Sequence, residues 1–216
     1  MISLEPLGDR AFLARFGTEP EASDWAAAVR AQEWAGVVDI VLAYQTAAVF
    51  ADPDRLDPAE LELRLRALVP KPRERHAGKL VTLPVLYDGE DLRDVACRLN
   101  LAADDVIAHH TQQEYSIFAV GFQPGFPYAG YLPKELSGLP RREVPRVRVP
   151  AGSVAIAGRQ TGVYPDESPG GWHVLGRTPL RIVDLERGHF PIRAGDRLRF
   201  VPIDLREFEA RRGELL

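Results

Sequence analysis

One cysteine, Cys97, and one methionine are all the sulfur in this 216-residue chain. A lone thiol excludes an intramolecular disulfide and a thiolate metal cluster, and it makes the cytoplasm the expected compartment. The opening MISLEPLGDR carries an acid early and has no apolar h-region, so no secretory signal is expected. Long hydrophobic runs are missing too. The most apolar stretch, 37–51, is broken by Asp39 and Gln45 and is too short to span a bilayer. There is no surplus of positive charge: the net is −4, which argues against nucleic acid or an anionic membrane as the main partner. GxxxxGK[ST] and a GxGxxG between strand and helix are both absent, as are HExxH, paired CxxC and EF-hand spacings. No metal site is expected.

Punctuation is abundant, and it is concentrated. Residues 121–179 hold 10 of the 18 glycines and 9 of the 18 prolines. Glycine permits positive φ and close backbone approach, whereas proline fixes φ and withholds an N–H. A disordered Pro/Gly tract would lack large apolar residues. This one carries Phe122, Phe126, Tyr128, Tyr131, Tyr164 and Trp172, so it reads as an ordered surface of shaped loops with little regular structure. Residues 121–181 also hold eight Lys/Arg against four Asp/Glu, a local +4, which leaves −8 on the rest. A positive field inside an acidic chain suits a small anionic ligand, although the arginines could instead pair with nearby acids.

The first 76 residues read as a small α+β domain with helices on one face of a sheet. Strands are expected at 11–16 and over 37–50, the latter as one long strand or two. A helix is expected from a Ser23 cap to Trp34. Asp57-Pro58-Ala59-Glu60 starts another, with Leu61, Leu65 and Leu68 as its apolar stripe. Pro70 to Gly78 is the candidate linker, dividing the chain into 1–76 and 77–216. Beyond it come a strand at 80–87 and two helices, 91–99 and 104–112. Then follow the extended segments YSIFAV, VRV, SVAIA, WHVLG, LRIVDL and RLRFVPI, the pattern of a barrel or sandwich. Residues 204–212 read as a terminal helix.

Some residues can be weighed for chemistry. Cys97 shares a helix with Leu92, Val95, Ala96 and Leu99 and reads as a buried small hydrophobe. His109 and His110 point about 100° apart on a helix, poor for joint metal ligation, and read as surface or core-edge residues. Arg146-Val147-Arg148-Val149 alternates, which would put both arginines on one strand face with an acid or anion between them. Gly170 and Gly171 form a consecutive pair whose amides could make an anion nest. Ser168, His173 and Arg177 around that pair are the candidate catalytic residues, parts of an acid/base and oxyanion arrangement.

GFQPGFPY, PRVRVPAGSVAIAGRQTGVYP and SPGGWHVLGRTP together resemble the family of the 5-oxoprolinase B subunit, the kinase inhibitor KipI and allophanate hydrolase subunit 1. The resemblance runs along nearly the whole chain. It departs at Ala155, where glycine is usual, and at Ala129-Gly130-Tyr131, which varies a Leu-Gly-Gly. It implies an N-terminal α+β domain followed by a cyclophilin-like β-barrel. It also implies one component of an ATP-dependent 5-oxoprolinase, inactive alone, with the 5-oxoprolinase C subunit and a third subunit as partners and ATP as co-substrate. The small anionic substrate would meet Phe122, Pro124, Gly125, Phe126 and Tyr128 of the first motif. Arg146, Arg148, Gln160 and Tyr164 of the second and Gly170, Gly171 and Trp172 of the third would complete the site, with Arg146 or Arg148 on a carboxylate. The same family offers two alternatives, inhibition of a histidine kinase and a role in allophanate or urea metabolism.

Overall fold

A computed structural model describes residues 3–70 and 78–216. Most of the expected linker, 71–77, lies outside the described residues. By compactness the chain divides into two units, Met1–His76 and Ala77–Leu216.

The first unit runs β1 (Ser3–Pro6), β2 (Ala11–Arg15), α1 (Glu19–Arg30), β3 (Val37–Ala43), β4 (Thr46–Ala51) and α2 (Pro58–Ala67). The strands form an antiparallel sheet in the order β1-β2-β4-β3. Phe12 and Ala14 of β2 and Ala47, Val49 and Ala51 of β4 alternate onto one face. Trp25 and Val29 of α1 and Leu61 and Leu65 of α2 cover that face. The cap of α1 is Thr18, not Ser23. Thr18 accepts from the Glu21 N–H, and Glu21 reaches back to the Thr18 N–H, a capping box that starts the helix five residues early. The 37–50 stretch is a hairpin, turning at Tyr44 with φ 53°.

The second unit contains β5 (Leu80–Val85), α3 (Leu92–Leu99), α4 (Ala103–Thr111), β6 (Tyr115–Val120), β7 (Pro127–Gly130), β8 (Arg146–Val149), β9 (Ser153–Ala157), β10 (Gln160–Val163), β11 (Ser168–Gly170), β12 (His173–Arg177), β13 (Arg197–Pro202) and α5 (Leu205–Ala210). Seven strands pair in the order β12-β9-β10-β7-β6-β13-β5, with only β13 and β5 parallel. Leu86, just past β5, exchanges both backbone hydrogen bonds with Arg177 at 2.9 Å and so brings the two edges together into a nearly closed barrel. Gly176 makes that seam possible, because a Cβ there would collide with the Leu86 carbonyl oxygen. β8 and β11 form a separate two-stranded ribbon.

Three expectations fail here. The Gly/Pro-rich segment holds six of these strands, β7 to β12, so its glycines serve close strand packing as much as turns. LRIVDL is not a strand: it makes only isolated bridges, Arg181 to Leu215 and Asp184 to His189. Cys97 is exposed, because α3 buries Leu92, Val95 and Ala96, and the next position turns about 100° away from them. Among the described residues no helix is long and apolar enough to cross a membrane, and no group of three or more His, Cys, Asp or Glu could hold a metal ion.

Candidate functional site

The GFQPGFPY turn folds inward as an aromatic box. Gly125 takes φ 83° and packs against Val183, which directs the Phe126 ring into the barrel unit. That ring meets Tyr128 at 5.0 Å, Tyr164 at 5.1 Å, Trp172 at 5.4 Å and Phe122 at 5.5 Å between centroids, all edge-to-face. Phe126, Tyr164 and Trp172 are buried, Tyr128 is half-buried and Phe122 is exposed. Gly170 lies against the box, since a Cβ there would strike the Tyr164 hydroxyl. Burial raises the Tyr164 hydroxyl above its ordinary pKa. Five aromatics named from three separate motifs therefore converge, with Pro124 and Gly125 in the turn beside them. Gln160 stands elsewhere, opposite Gly130 and Ala157, in a smaller hollow with Arg141 and Arg159.

Beside this box lies a buried charge node centred on Asp91, which the sequence offered only as the start of a helix. Its Oδ1 accepts from Arg142 Nη1 and Arg146 Nη2, each at 2.7 Å, and its Oδ2 accepts from the Val174 N–H at 2.7 Å. Burial alone would push the Asp91 carboxyl up. The hydrogen bonds from Arg146 and the Val174 amide, with the charges of Arg146 and Arg142, outweigh it and hold the pKa below the ordinary value. Arg146 also reaches Glu90 at 2.7 Å.

The two arginines of β8 do not share a grip. Arg146 is engaged in the node, whereas Arg148 is exposed beside Glu167 at 3.3 Å. The valines split as well, Val149 buried and Val147 exposed. The pairing shifts register, with three steps along β8 (Val149 to Arg146) set against two along its partner (Ser168 to Gly170), and this breaks the simple alternation. Neither Gly170 nor Gly171 has left-handed φ, and Gly170 pairs with Arg146 in the ribbon, so the expected alternating nest is not formed. Ser168 and His173 are not hydrogen-bonded to each other. His173 is buried with Nε2 on the Pro140 carbonyl at 2.9 Å, while its Nδ1 and the Ser168 hydroxyl have no partner among the described residues.

Arg177, the third catalytic candidate, belongs to an open groove of about 510 Å³ lined by the loop after β5, the β8–β9 turn, the end of β12 and α5. Asp88 holds one edge of its guanidinium, with Nη2 to Oδ2 at 2.7 Å, and its plane lies over the Phe208 ring at 4.5 Å. Glu90 and Val174 line the groove too, so groove and charge node share a wall.

His110, expected at the surface or core edge, is fully buried and stacks on Phe200 at 4.5 Å. Thr161 gives its own proton to the Ala155 carbonyl, so His110 Nε2 donates to Thr161 at 2.8 Å. Nδ1 then accepts from Tyr87 at 2.7 Å. Burial drives its pKa down to about 3, and the imidazole is neutral. Nothing in the sequence marked Tyr87 and Thr161 as its partners, because strand pairing brings them together from positions 23 and 51 residues away.

Residues 2–191 match the carboxyltransferase domain, subdomain C and D. The B subunit of 5-oxoprolinase from Bacillus subtilis is 35% identical across 98% of this chain and 97% of its own length. The crystal structure of TTHA0988 superposes with a TM-score of 0.80 at 41% identity over 90% of this chain, which spans only 40% of that longer one. The Kluyveromyces lactis urea carboxylase structure shares the fold, with a TM-score of 0.74 at 19% identity over 97% of this chain and 22% of its own. With the fold, the motifs and these likenesses in agreement, the chain belongs to the carboxyltransferase domain, subdomain C and D, family that includes the B subunits of 5-oxoprolinase.

Proposed function

We propose that the chain is the B-type component of a 5-oxoprolinase complex that opens 5-oxoproline to L-glutamate. The observation that carries this reading is the near end-to-end similarity to the 5-oxoprolinase B subunit of Bacillus subtilis. Hydrolysis of the lactam adds water across the C–N bond. The carbonyl carbon gains a hydroxyl oxygen, and the ring nitrogen leaves as the amine after taking a proton. ATP, the co-substrate of the complex, would supply a phosphoryl group to activate the unreactive amide oxygen.

The geometry supports a component that works with a C-type partner and a third subunit. Among the described residues, the hydroxyl–imidazole pair Thr161–His110 is sealed, with both residues 0% exposed. An imidazole with a pKa near 3 is also a feeble base at neutral pH. Ser168 and His173 do not meet. A small anionic substrate would therefore find shaped walls and arginines on this chain, and the reacting base would come from another component of the complex.

The test is 5-oxoproline-dependent ATP hydrolysis, measured with the purified chain alone and then with its candidate partner proteins. Turnover only in the mixture is the expected result. A stable complex without turnover on 5-oxoproline would overturn the substrate assignment.

A further inference from the structure

We infer that the groove beside α5 is a binding site for the oxyanion of a small ligand, built on Arg177 and Ser153. A carboxylate or a phosphate group would satisfy the same donors. The groove would hold its ligand whether or not the chain serves lactam hydrolysis.

The strand register places the two donors. Ser153 of β9 and Arg177 of β12 are direct cross-strand partners, so their side chains leave the same face of the sheet. Both line the groove. Ser153 is only 3% exposed, and its hydroxyl has no hydrogen-bond partner among the described residues. Lining the groove and bonded to no protein group among those residues, that hydroxyl is free to donate to a ligand oxygen.

Arg177 is held as a binding arginine needs to be. Its Nε and Nη2 sit on the Asp88 carboxylate at 3.1 and 2.7 Å, and its face rests on Phe208, which is itself buried. These contacts fix the guanidinium plane and leave Nη1 without a protein partner among the described residues. A planar donor with one edge already fixed loses little freedom on meeting an oxyanion. Arg181 and Arg212 also line the groove, Arg212 approaching the Phe208 ring from 5.6 Å, and these two are held by Asp184 and Glu209 respectively.

The walls supply the rest. Pro150, Ala151, Pro179, Leu180 and Phe208 are apolar, and the volume falls in the usual range for small-molecule sites. The local acids, Asp88 and Glu90, are each already engaged by an arginine. The selectivity thus comes from directed donors and not from a net positive field.

The experiment titrates the full-length ¹⁵N-labelled chain with inorganic phosphate and, separately, with glutarate at constant ionic strength, following backbone and arginine side-chain resonances. The expected result is a saturable shift at Ser153, Arg177 and Thr178 with at least one probe. Phosphate alone would identify a phosphoryl group as the ligand feature, and glutarate alone a carboxylate. Arg177→Gln should weaken binding about tenfold or more, as for a charged hydrogen bond. Ser153→Ala, which removes one atom and keeps the fold, should weaken it roughly threefold to tenfold. Arg98→Gln, on the exposed face of α3, should change nothing. No saturable shift with either probe, or saturation that both groove variants leave intact, overturns the assignment.

Discussion

Replacing Asp91 by asparagine should unlock the node that ties α3, β8 and β12 together. The substitution keeps the side chain's volume and one carbonyl oxygen for the Val174 N–H, so it isolates the charge. Asp91 is 4% exposed at its side chain, Arg146 15% and Arg142 34%. Removing one partner from a buried ion pair costs about 3–5 kcal/mol, because the remaining charge is left uncompensated. Arg146 keeps Glu90, and Arg142 is open enough for water to recover part of the loss, so we expect about 2–4 kcal/mol. For a chain of this size that corresponds to roughly 4–16 °C in the melting temperature of the barrel unit. The assay is urea unfolding by near-UV circular dichroism, with peptide-level hydrogen exchange to show that the segment around Val174 opens first. Glu90→Gln is the comparison: Glu90 is 62% exposed and should cost only about 0.2–1 kcal/mol. The pH dependence adds a second reading. The folded Asp91 carboxyl titrates below its ordinary 3.8, so its contribution is complete above that value and is lost as pH falls through the lower folded pKa. The variant should lack that acid-side loss. If Asp91→Asn costs no more than Glu90→Gln, the node is not holding these elements together.

Three other outcomes are expected. His110 is held neutral with a folded pKa near 3 against an ordinary 6.5. The unfolded chain therefore takes up a proton first, and stability falls by about 1.4 kcal/mol per pH unit between those values. In His110→Gln that slope should flatten, as read from denaturation midpoints between pH 6.5 and pH 4. Gly176→Ala would drive a Cβ into the Leu86 carbonyl oxygen at the barrel seam. Since backbone cannot step aside cheaply, we expect a loss of about 1–3 kcal/mol and faster amide exchange at Leu86 and Arg177. Thr18→Ala removes one half of the capping box and should cost the first unit about 1 kcal/mol, with exchange in the barrel unit unchanged.

Local rules read most of the elements. β6 and β9 occupy the segments marked YSIFAV and SVAIA, and Asp57-Pro58 starts α2 by the signal it displays. The expected start of α1 at Ser23 is a misreading, although Thr18-Glu19-Pro20-Glu21 carries the capping-box pattern that sets it. Glycine and proline flag the turns and the large rings mark the tract as ordered, but the packing of five rings from three motifs into one box is not read from the residues. The charge node was not legible either, because Asp91 and Arg146 lie 55 residues apart and neither neighbourhood announces the other. The same blindness hid His110: helical spacing gives the direction of a side chain and says nothing of the strand that will cover it.

The parallel pairing of β5 with β13 has a consequence for how the chain is made. Lys79 and Asp196, bonded at the start of that pair, are 117 residues apart. During synthesis β5 leaves the ribosome early and waits without its long neighbour until β13 follows. The first unit, whose strands all pair within a short span of sequence, can be complete long before. Non-local pairing of this kind is slow and leaves an apolar strand edge open to aggregation. Nascent chains stalled ahead of residue 197 should then show a protease-resistant first unit joined to a barrel segment still cleaved at β5, and holdase chaperones should bind that segment.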